Sequence, residues 1–255
     1  MLPDAPPGLG RAARLLRDAR RVVALTGAGV STPSGLPDFR SPGTGLWEHQ
    51  DPLEIASLLT FRHDPEQFYA RIRPLAQAFL RAEPNAAHLA LANLEAAGRL
   101  FGVITQNIDG LHQRAGSVNV LEVHGSLRQA TCIECYVVYP TAPYADAYAR
   151  TGIPPRCPAC GGFLKPNAIL MGEQLPWDTI QKAILWSRSC DLILVAGSSL
   201  EITPAGQLPL VALRAGARCI IVNRQPTYLD ERADVVLRQD VAVALPRLAQ
   251  EVMHE

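Results

Sequence analysis

The order of apolar runs in this chain predicts an α/β fold: a Rossmann-like doubly wound parallel sheet carrying a small inserted domain. Three observations support this. Short apolar runs of strand length alternate with longer stretches of helical spacing, the pattern that builds a parallel sheet covered on both faces. The strand-like runs end in glycine or small polar residues, as strands do where they bring their carboxyl ends to one rim. Two C-x-x-C pairs, Cys132/Cys135 and Cys157/Cys160, stand 21 residues apart, a spacing that belongs to a metal-binding ribbon and not to a sheet.

Each element follows in turn. The stretch up to Arg20 reads as an amphipathic helix, with Arg11, Arg14, Arg17 and Arg20 on its solvated face. Residues 21–26 form a buried strand entering the turn Gly27-Ala28-Gly29. Residues 32–46, rich in Pro, Gly and Ser, form a loop. Helical spacing returns over 52–82, where Asp64-Pro65-Glu66 supplies an N-cap, a first-turn proline and an acidic first turn. The apolar stripe at 52–59 and Phe61 reads as core. Residues 85–97 form a helix closed by Gly98. Strands are expected at 100–105 and 120–123, then Ala168-Ile169-Leu170-Met171 after the cysteine module. A helix near 177–187, a strand at 191–196, a helix near 204–215 and a strand at 219–222 complete the pattern. The expected division gives 1–40, 86–127 and 167–255 to the sheet domain. A helical insert, 41–85, and the cysteine module, 128–166, make the small domain.

The cysteine module has a chemistry of its own. Two thiolates at C-x-x-C spacing grip one ion from a tight turn, and a second pair closes a tetrahedral zinc site. Arg156-Cys157-Pro158-Ala159-Cys160-Gly161-Gly162 carries the proline and glycines such a knuckle needs. Four sulfurs fill the shell, so a single structural zinc is expected, with no open position for water or substrate. Two disulfides or buried free thiols are the competing reading. Cys190 and Cys219, which begin apolar runs, read as buried reduced thiols.

Composition narrows the classes of function. Lys+Arg and Asp+Glu are both 24, so the chain lacks the positive excess that a nucleic-acid or anionic-membrane surface calls for. No run approaches the ~18 apolar residues that span a bilayer, and the N-terminus lacks the basic-then-apolar form of a signal peptide. A reduced cysteine set points to the cytoplasm.

Five strand ends carry the chemistry. They are Gly27-Ala28-Gly29-Val30-Ser31-Thr32, Gln106-Asn107-Ile108-Asp109, His124-Gly125, Gly197-Ser198-Ser199 and Asn223-Arg224. Glycines allow close approach to phosphates, and the amides that follow can cradle anions, so the rim outlines a nucleotide site. Taken singly, each piece has an ordinary structural reading. Thr32 stands where G-x-G-x-x-G has its third glycine, Gly197-Ser198-Ser199 suits a helix cap, and Asn107 and Asp109 suit turns. His124 suits a satisfied histidine, and Arg40 suits an ion pair with Asp38.

In chain order these segments, with Pro33-Ser34-Gly35-Leu36-Pro37-Asp38-Phe39-Arg40, Thr105 before Gln106, Leu200 after Ser199 and Val222 before Asn223, resemble the sirtuin family over roughly residues 15–250. Sirtuins are NAD-dependent protein-lysine deacylases, and the likeness is to bacterial, deacetylase-type members. The resemblance implies that NAD lies between the Rossmann-type domain and the small domain. Ala28, Thr32 and Arg40 would hold the diphosphate side; Ser198, Asn223 and the backbone near Val241 would face adenosine. Gln106, Asn107, Ile108 and Asp109 would line the ribose and nicotinamide pocket, with Asn107 counted beside His124 as catalytic. Gly27, Gly29, Ser31, Asp38, Gly197, Ser199 and Arg224 complete the implied cofactor set, and Phe39 would cover the reactive ribose carbon. His124 would be the general base. An acetylated or otherwise acylated lysine peptide would lie as a strand beside Ile169, Met171, Gly172 and Glu173.

The resemblance also bears on acyl choice. Family members that take succinyl or malonyl groups carry a Tyr-x-x-Arg pair in the helical insert. Here Tyr69 is followed by Ile72, with Arg71 and Arg73 each one residue off, about 100° around a helix. Uncharged acyl groups are therefore expected. Leu170-Met171 replaces aromatic residues common in relatives, which bears on tunnel width. A core aromatic is the alternative reading of Tyr69. An ADP-ribosyltransferase using the same site is the alternative activity. A hydride-transferring dehydrogenase lacks support, since Glu48 and Asp51 fall in the wrong context for a ribose-binding acid. Zero net charge argues against a zinc-ribbon nucleic-acid binder. A monomer is expected, with no nucleic-acid or membrane partner.

Overall fold

The computed structural model describes residues 7–38 and 56–254. The expectations for Phe39, Arg40 and the first part of the stripe at 52–59 lie outside the described residues. In chain order, α1 (Leu9–Asp18) leads to β1 (Val22–Thr26), which exits through two short 3-10 turns, Ala28–Val30 and Thr32–Ser34. α2 (Leu58–His63), α3 (Pro65–Arg81) and α4 (Ala86–Ala96) precede β2 (Gly102–Thr105), α5 (Leu111–Arg114) and β3 (Val120–Glu122). β4 (Gly125–Cys132), β5 (Val138–Pro140), α6 (Ala142–Thr151) and β6 (Leu164–Ala168) follow. Then come α7 (Trp177–Ser189), β7 (Leu192–Ala196), α8 (Leu208–Arg214), β8 (Arg218–Val222), β9 (Val235–Leu237) and α9 (Val241–Met253).

The large sheet runs β3-β2-β1-β7-β8-β9 with every neighbouring pair parallel. Its strands are apolar on both faces because each face meets a separate core. Val22 and Ala24 join Leu16, Leu91, Leu194 and Leu245 on one side; Val23 and Leu25 join Ile180, Ile193, Val195 and Ala212 on the other. β1 lies between β2 and β7, and the chain winds away from it in both directions, so the ligand crevice of such a sheet opens at its carboxyl end.

Local chemistry sets the element ends. The expected strand at 100–105 starts later, because Arg99 and Leu100 both donate to the Leu94 carbonyl and close α4 around Gly98, whose φ is +70°. The helical stretch at 52–82 contains two helices. Ser57 caps α2, and Asp64 ends α2 while its carboxylate accepts from Gln67 N–H to cap α3. The helix expected near 204–215 is shorter: a 3-10 turn at Ala205–Gln207 comes first, and Pro209 sits in the first turn of α8.

The small domain has an antiparallel sheet, β5-β4-β6, with α3 and α6 packed on one another beside it. Its core is aromatic. Phe61, Phe68, Tyr69 and Tyr148 meet edge to face, at centroid separations from 5.0 to 6.2 Å. Tyr69 is thus a core aromatic, its hydroxyl donating to the Leu164 carbonyl of β6.

Candidate functional site

Close packing of two turns builds the floor of the site. Gly29 N–H donates to Gly197 O at 2.9 Å, and Gly27 N–H to Ala196 O at 3.3 Å. A Cβ on Gly27 would lie 2.9 Å from Ser198 Cβ, and one on Gly29 would lie 2.9 Å from Gly197 Cα. Gly197 itself has φ +59°, and its Cβ would sit 2.5 Å from Val30 N. The amides of Gly27, Gly29, Val30 and Ser31 all bond within the fold. The bare faces of these glycines meet the opposing turn, so the two backbones pack directly on one another.

Three connected chambers open above this floor. The first, about 670 Å³, is lined by Gly29, Thr32, Asp38, Gly197, Asn223, Arg224 and Val241, and also by Gly35, Leu36, Gln225 and Gln239. The second, about 350 Å³, shares Gly29, Asp38, Gly197 and Asn223 with it and adds Gly27, Ala28, Gln106, Asn107, His124, Ser198 and Ser199. The third, about 310 Å³, shares Ala28, Gln106, Asn107 and His124 and continues to Ser31, Ile108, Asp109, Ile169, Leu170 and Met171. Residues from five strand ends and from the 169–171 segment thus share one cleft. Arg224 stands at its rim, 3.1 Å from Asp240, which also caps α9 at Val241.

His124 stands in the wall between the second and third chambers. Its Nδ1 lies 3.0 Å from Gln106 O. A carbonyl only accepts, so Nδ1 carries the hydrogen and Nε2 keeps a lone pair. Burial holds the imidazole below its ordinary pKa of 6.5, so it is neutral near pH 7. Gly125 must follow, because a Cβ there would lie 2.1 Å from Asn167 O as β4 crosses β6. The His124 carbonyl accepts from Ile169 N–H at 2.9 Å, tying His124 to the neighbouring segment.

Under the floor lies a polar cluster. Ser31 Oγ donates to Asp109 Oδ2 at 2.7 Å and accepts from Asn107 Nδ2 at 3.0 Å; Asn107 Nδ2 also reaches Gly27 O at 3.1 Å. Gln106 Nε2 donates to Ser198 Oγ at 2.9 Å. Sequence reasoning missed two buried histidines here. His88 lies 3.4 Å from Ser31 Oγ, and His112 meets it edge to face with ring centroids 4.9 Å apart. His88 sits three residues after the cap Asn85, whose N–H it accepts at 3.3 Å; a histidine amid the alanines and leucines of α4 was the available signal.

Ile169, Leu170 and Met171 line the third chamber, whereas Gly172 and Glu173 are not among its lining residues. Met171 N–H donates to Ala56 O at 2.7 Å and Met171 O accepts from Leu58 N–H at 3.0 Å, so residues 56–58 occupy its edge at that point. Gly172 has φ +90°. The Glu173 carboxylate is engaged inside the segment, 2.8 Å from both Leu170 N and Lys165 Nζ. A neighbouring cavity of about 400 Å³ is lined by Tyr69, Ile72, Tyr148 and Leu164, and it shares Phe79 and Asp109 with the third chamber.

The four cysteines Cys132, Cys135, Cys157 and Cys160 bring their sulfurs within 4.8 Å of one another, with Cys132–Cys160 at 3.4 Å and Cys135–Cys157 at 3.6 Å. All are free thiols, which removes the disulfide reading. Sulfurs about 2.3 Å from a tetrahedral centre stand ~3.8 Å apart, so the set fits zinc. Both knuckles fold alike: Tyr136 N–H donates to Cys132 O and Gly161 N–H to Cys157 O, with φ +60° and +78° at the donors.

The Sir2 family model matches residues 27–204. The NAD-dependent protein deacetylase of Caldivirga maquilingensis is 45% identical over 242 residues, covering 95% of this chain and 93% of that protein. NAD-dependent protein deacetylase 2 of Caldanaerobacter subterraneus subsp. tengcongensis is 43% identical over 235 residues, covering 92% of each. A solved Sir2 structure with a deacetylated p53 peptide and 3′-O-acetyl ADP-ribose matches with a TM-score of 0.89 at 38% identity, covering 95% of this chain and 98% of that one.

Proposed function

The chain belongs to the Sir2 family, and from that membership we propose how its residues divide the work of an NAD-dependent protein-lysine deacylase. The enzyme cleaves NAD to nicotinamide, transfers the acyl group to ADP-ribose and frees the lysine. Bound NAD supplies the ribose carbon that carries nicotinamide and the hydroxyls that take up the acyl group.

The adenosine half belongs in the chamber beside Asn223, Arg224 and Val241, with Ser198 at its inner edge. Gly29, Thr32 and Gly197 line that chamber, and the diphosphate would lie against them. Gln106, Asn107, Ile108 and Asp109 enclose the ribose and nicotinamide end, where His124 Nε2 accepts a ribose hydroxyl proton. The acyl-lysine enters along 169–173, where Ile169, Leu170 and Met171 wall the chamber and limit water. Glu173 serves by shaping this segment through Leu170 and Lys165. Ile72 gives the adjoining cavity an apolar wall, which supports the reading that uncharged acyl groups are preferred. Zinc, held by the four cysteines, fastens the small sheet and stands outside the chemistry.

One observation carries this reading: a neutral imidazole with its Nε2 lone pair stands in the wall shared by the cofactor and peptide chambers. ADP-ribosyl transfer to protein does not need that base for its second half. Among the described residues no helix is long and apolar enough to cross a membrane. We infer a reducing, cytoplasmic setting from a cysteine set that offers one zinc site and forms no S–S bond, and we read the chain as a monomer without nucleic-acid partners.

The test follows nicotinamide and free lysine peptide together, using acetyl-lysine, succinyl-lysine and unmodified peptides. Equal yields of both products with the acetyl peptide alone are expected. Nicotinamide without deacetylated peptide would move ADP-ribosyl transfer forward. Faster turnover of the succinyl peptide would sink the acyl assignment.

A further inference from the structure

Beneath the cofactor-facing turns runs a line of buried hydrogen bonds to which the mechanism above gives no part. Thr26 ends β1, Thr105 ends β2, and the two pair in register. Both are buried, where a valine would pack as well and a hydroxyl costs free energy unless it is bonded. Thr26 Oγ1 donates to Thr105 Oγ1 at 2.9 Å and lies 2.9 Å from His112 Nε2. A hydroxyl has one hydrogen, so Thr26 accepts from His112 and the imidazole hydrogen resides on Nε2. Nδ1 is then a bare acceptor, and it is indeed a buried atom with no partner. Thr105 Oγ1 in turn accepts the Asn107 backbone N–H at 3.1 Å.

We propose that His112 and Thr26 are positioning residues for nicotinamide release, acting through the Thr105 hydroxyl on the turn that holds Asn107. The inference rests on the reading of Asn107 as part of the ribose and nicotinamide pocket. The direction of the line supports it: an N–H fixes one hydroxyl, that hydroxyl fixes the next, and the second closes the turn at Asn107. Without the donor from Thr26, the Thr105 hydroxyl has lost the group that sets its rotamer. Asn107 is then held at its side chain by Gly27 and Ser31 but less firmly at its backbone. His112 also packs edge to face on His88, which approaches Ser31, so the imidazole pair supports Asn107 from two sides.

The test uses zinc-loaded enzyme and four variants: Thr26→Ser, Thr26→Val, the double variant Thr26→Val with His112→Phe, and Asn107→Ala. The double variant removes donor and acceptor together, which keeps the loss of stability small. Its kcat for nicotinamide release should fall by about 10-fold to 100-fold, with peptide KM unchanged, while Thr26→Ser stays within about twofold of the parent. Thr26→Val should fall in parallel and carries the test if the double variant does not fold. Parent-like release by Thr26→Val, or equal slowing by Thr26→Ser, overturns the inference. Parent-like release by Asn107→Ala would instead overturn the site reading on which it rests.

Discussion

The base role proposed for His124 needs one tautomer only, and the Gln106 carbonyl selects it. Burial holds its pKa below 6.5, so the neutral form prevails above that pH and is lost on acidification. Deacetylation kcat/KM should therefore be flat from about pH 7 upward and fall below 6.5; a limb centred above 6.5 would contradict the assignment. His124→Ala should lower turnover by about 10²–10⁴-fold while zinc content and Tm persist. The place of His124 at the rim was legible because it follows a strand run, while its role came only from the order of motifs around it. His88 and His112 were not, because helical periodicity does not distinguish a histidine turned into a polar cluster from one turned to solvent.

At the scale of elements, the two glycine turns and the two cysteine knuckles are the parts with least freedom. Gly197→Ala must move its neighbour, since the new Cβ would lie 2.5 Å from Val30 N at a φ of +59°. A cost of about 1–3 kcal/mol is expected, seen as a lower Tm together with a higher KM for NAD. Parent-like values in both would mean that the turns are looser than their contacts imply. Cys157→Ser should lose zinc and soluble yield together, because closing the metal site supplies folding free energy to the small sheet. Metal analysis alongside thermal unfolding tests this, and a stable zinc-free variant would reject the structural role. The knuckles could be read from spacing alone, and the cap at Asp64 from the Asp-Pro-Glu sequence that it begins. The late start of β2 could not, because whether residues 99 and 100 join a strand or close a helix depends on a hydrogen bond to Leu94.

For the whole molecule, the buried imidazoles set an acid limit. Burial lowers His88 to about 4 and His112 to about 3, against 6.5 for an exposed ring. The unfolded chain therefore binds these protons first. Their contribution is intact above pH 6.5 and fades as pH falls toward the folded values, at about 1.4 kcal/mol for each unit of difference. Thermal unfolding followed from about pH 7 down to pH 4 should show a steady loss of Tm that His112→Phe reduces; a flat profile would show that the rings are solvated. The alternation of elements made the parallel sheet legible. The strand order and the assignment of alternate β1 residues to two separate cores were not, since both depend on which helix covers which face.

The hydrogen bond from Ile169 N–H to the His124 carbonyl has an implication for engineering. The segment proposed to meet the acylated lysine and the segment that presents the imidazole form one seam. Recutting residues 169–173 to admit a different acyl group would also re-aim the proton acceptor. Selectivity and speed in this enzyme are thus inherited together, and a variant library restricted to that stretch samples both traits at every position.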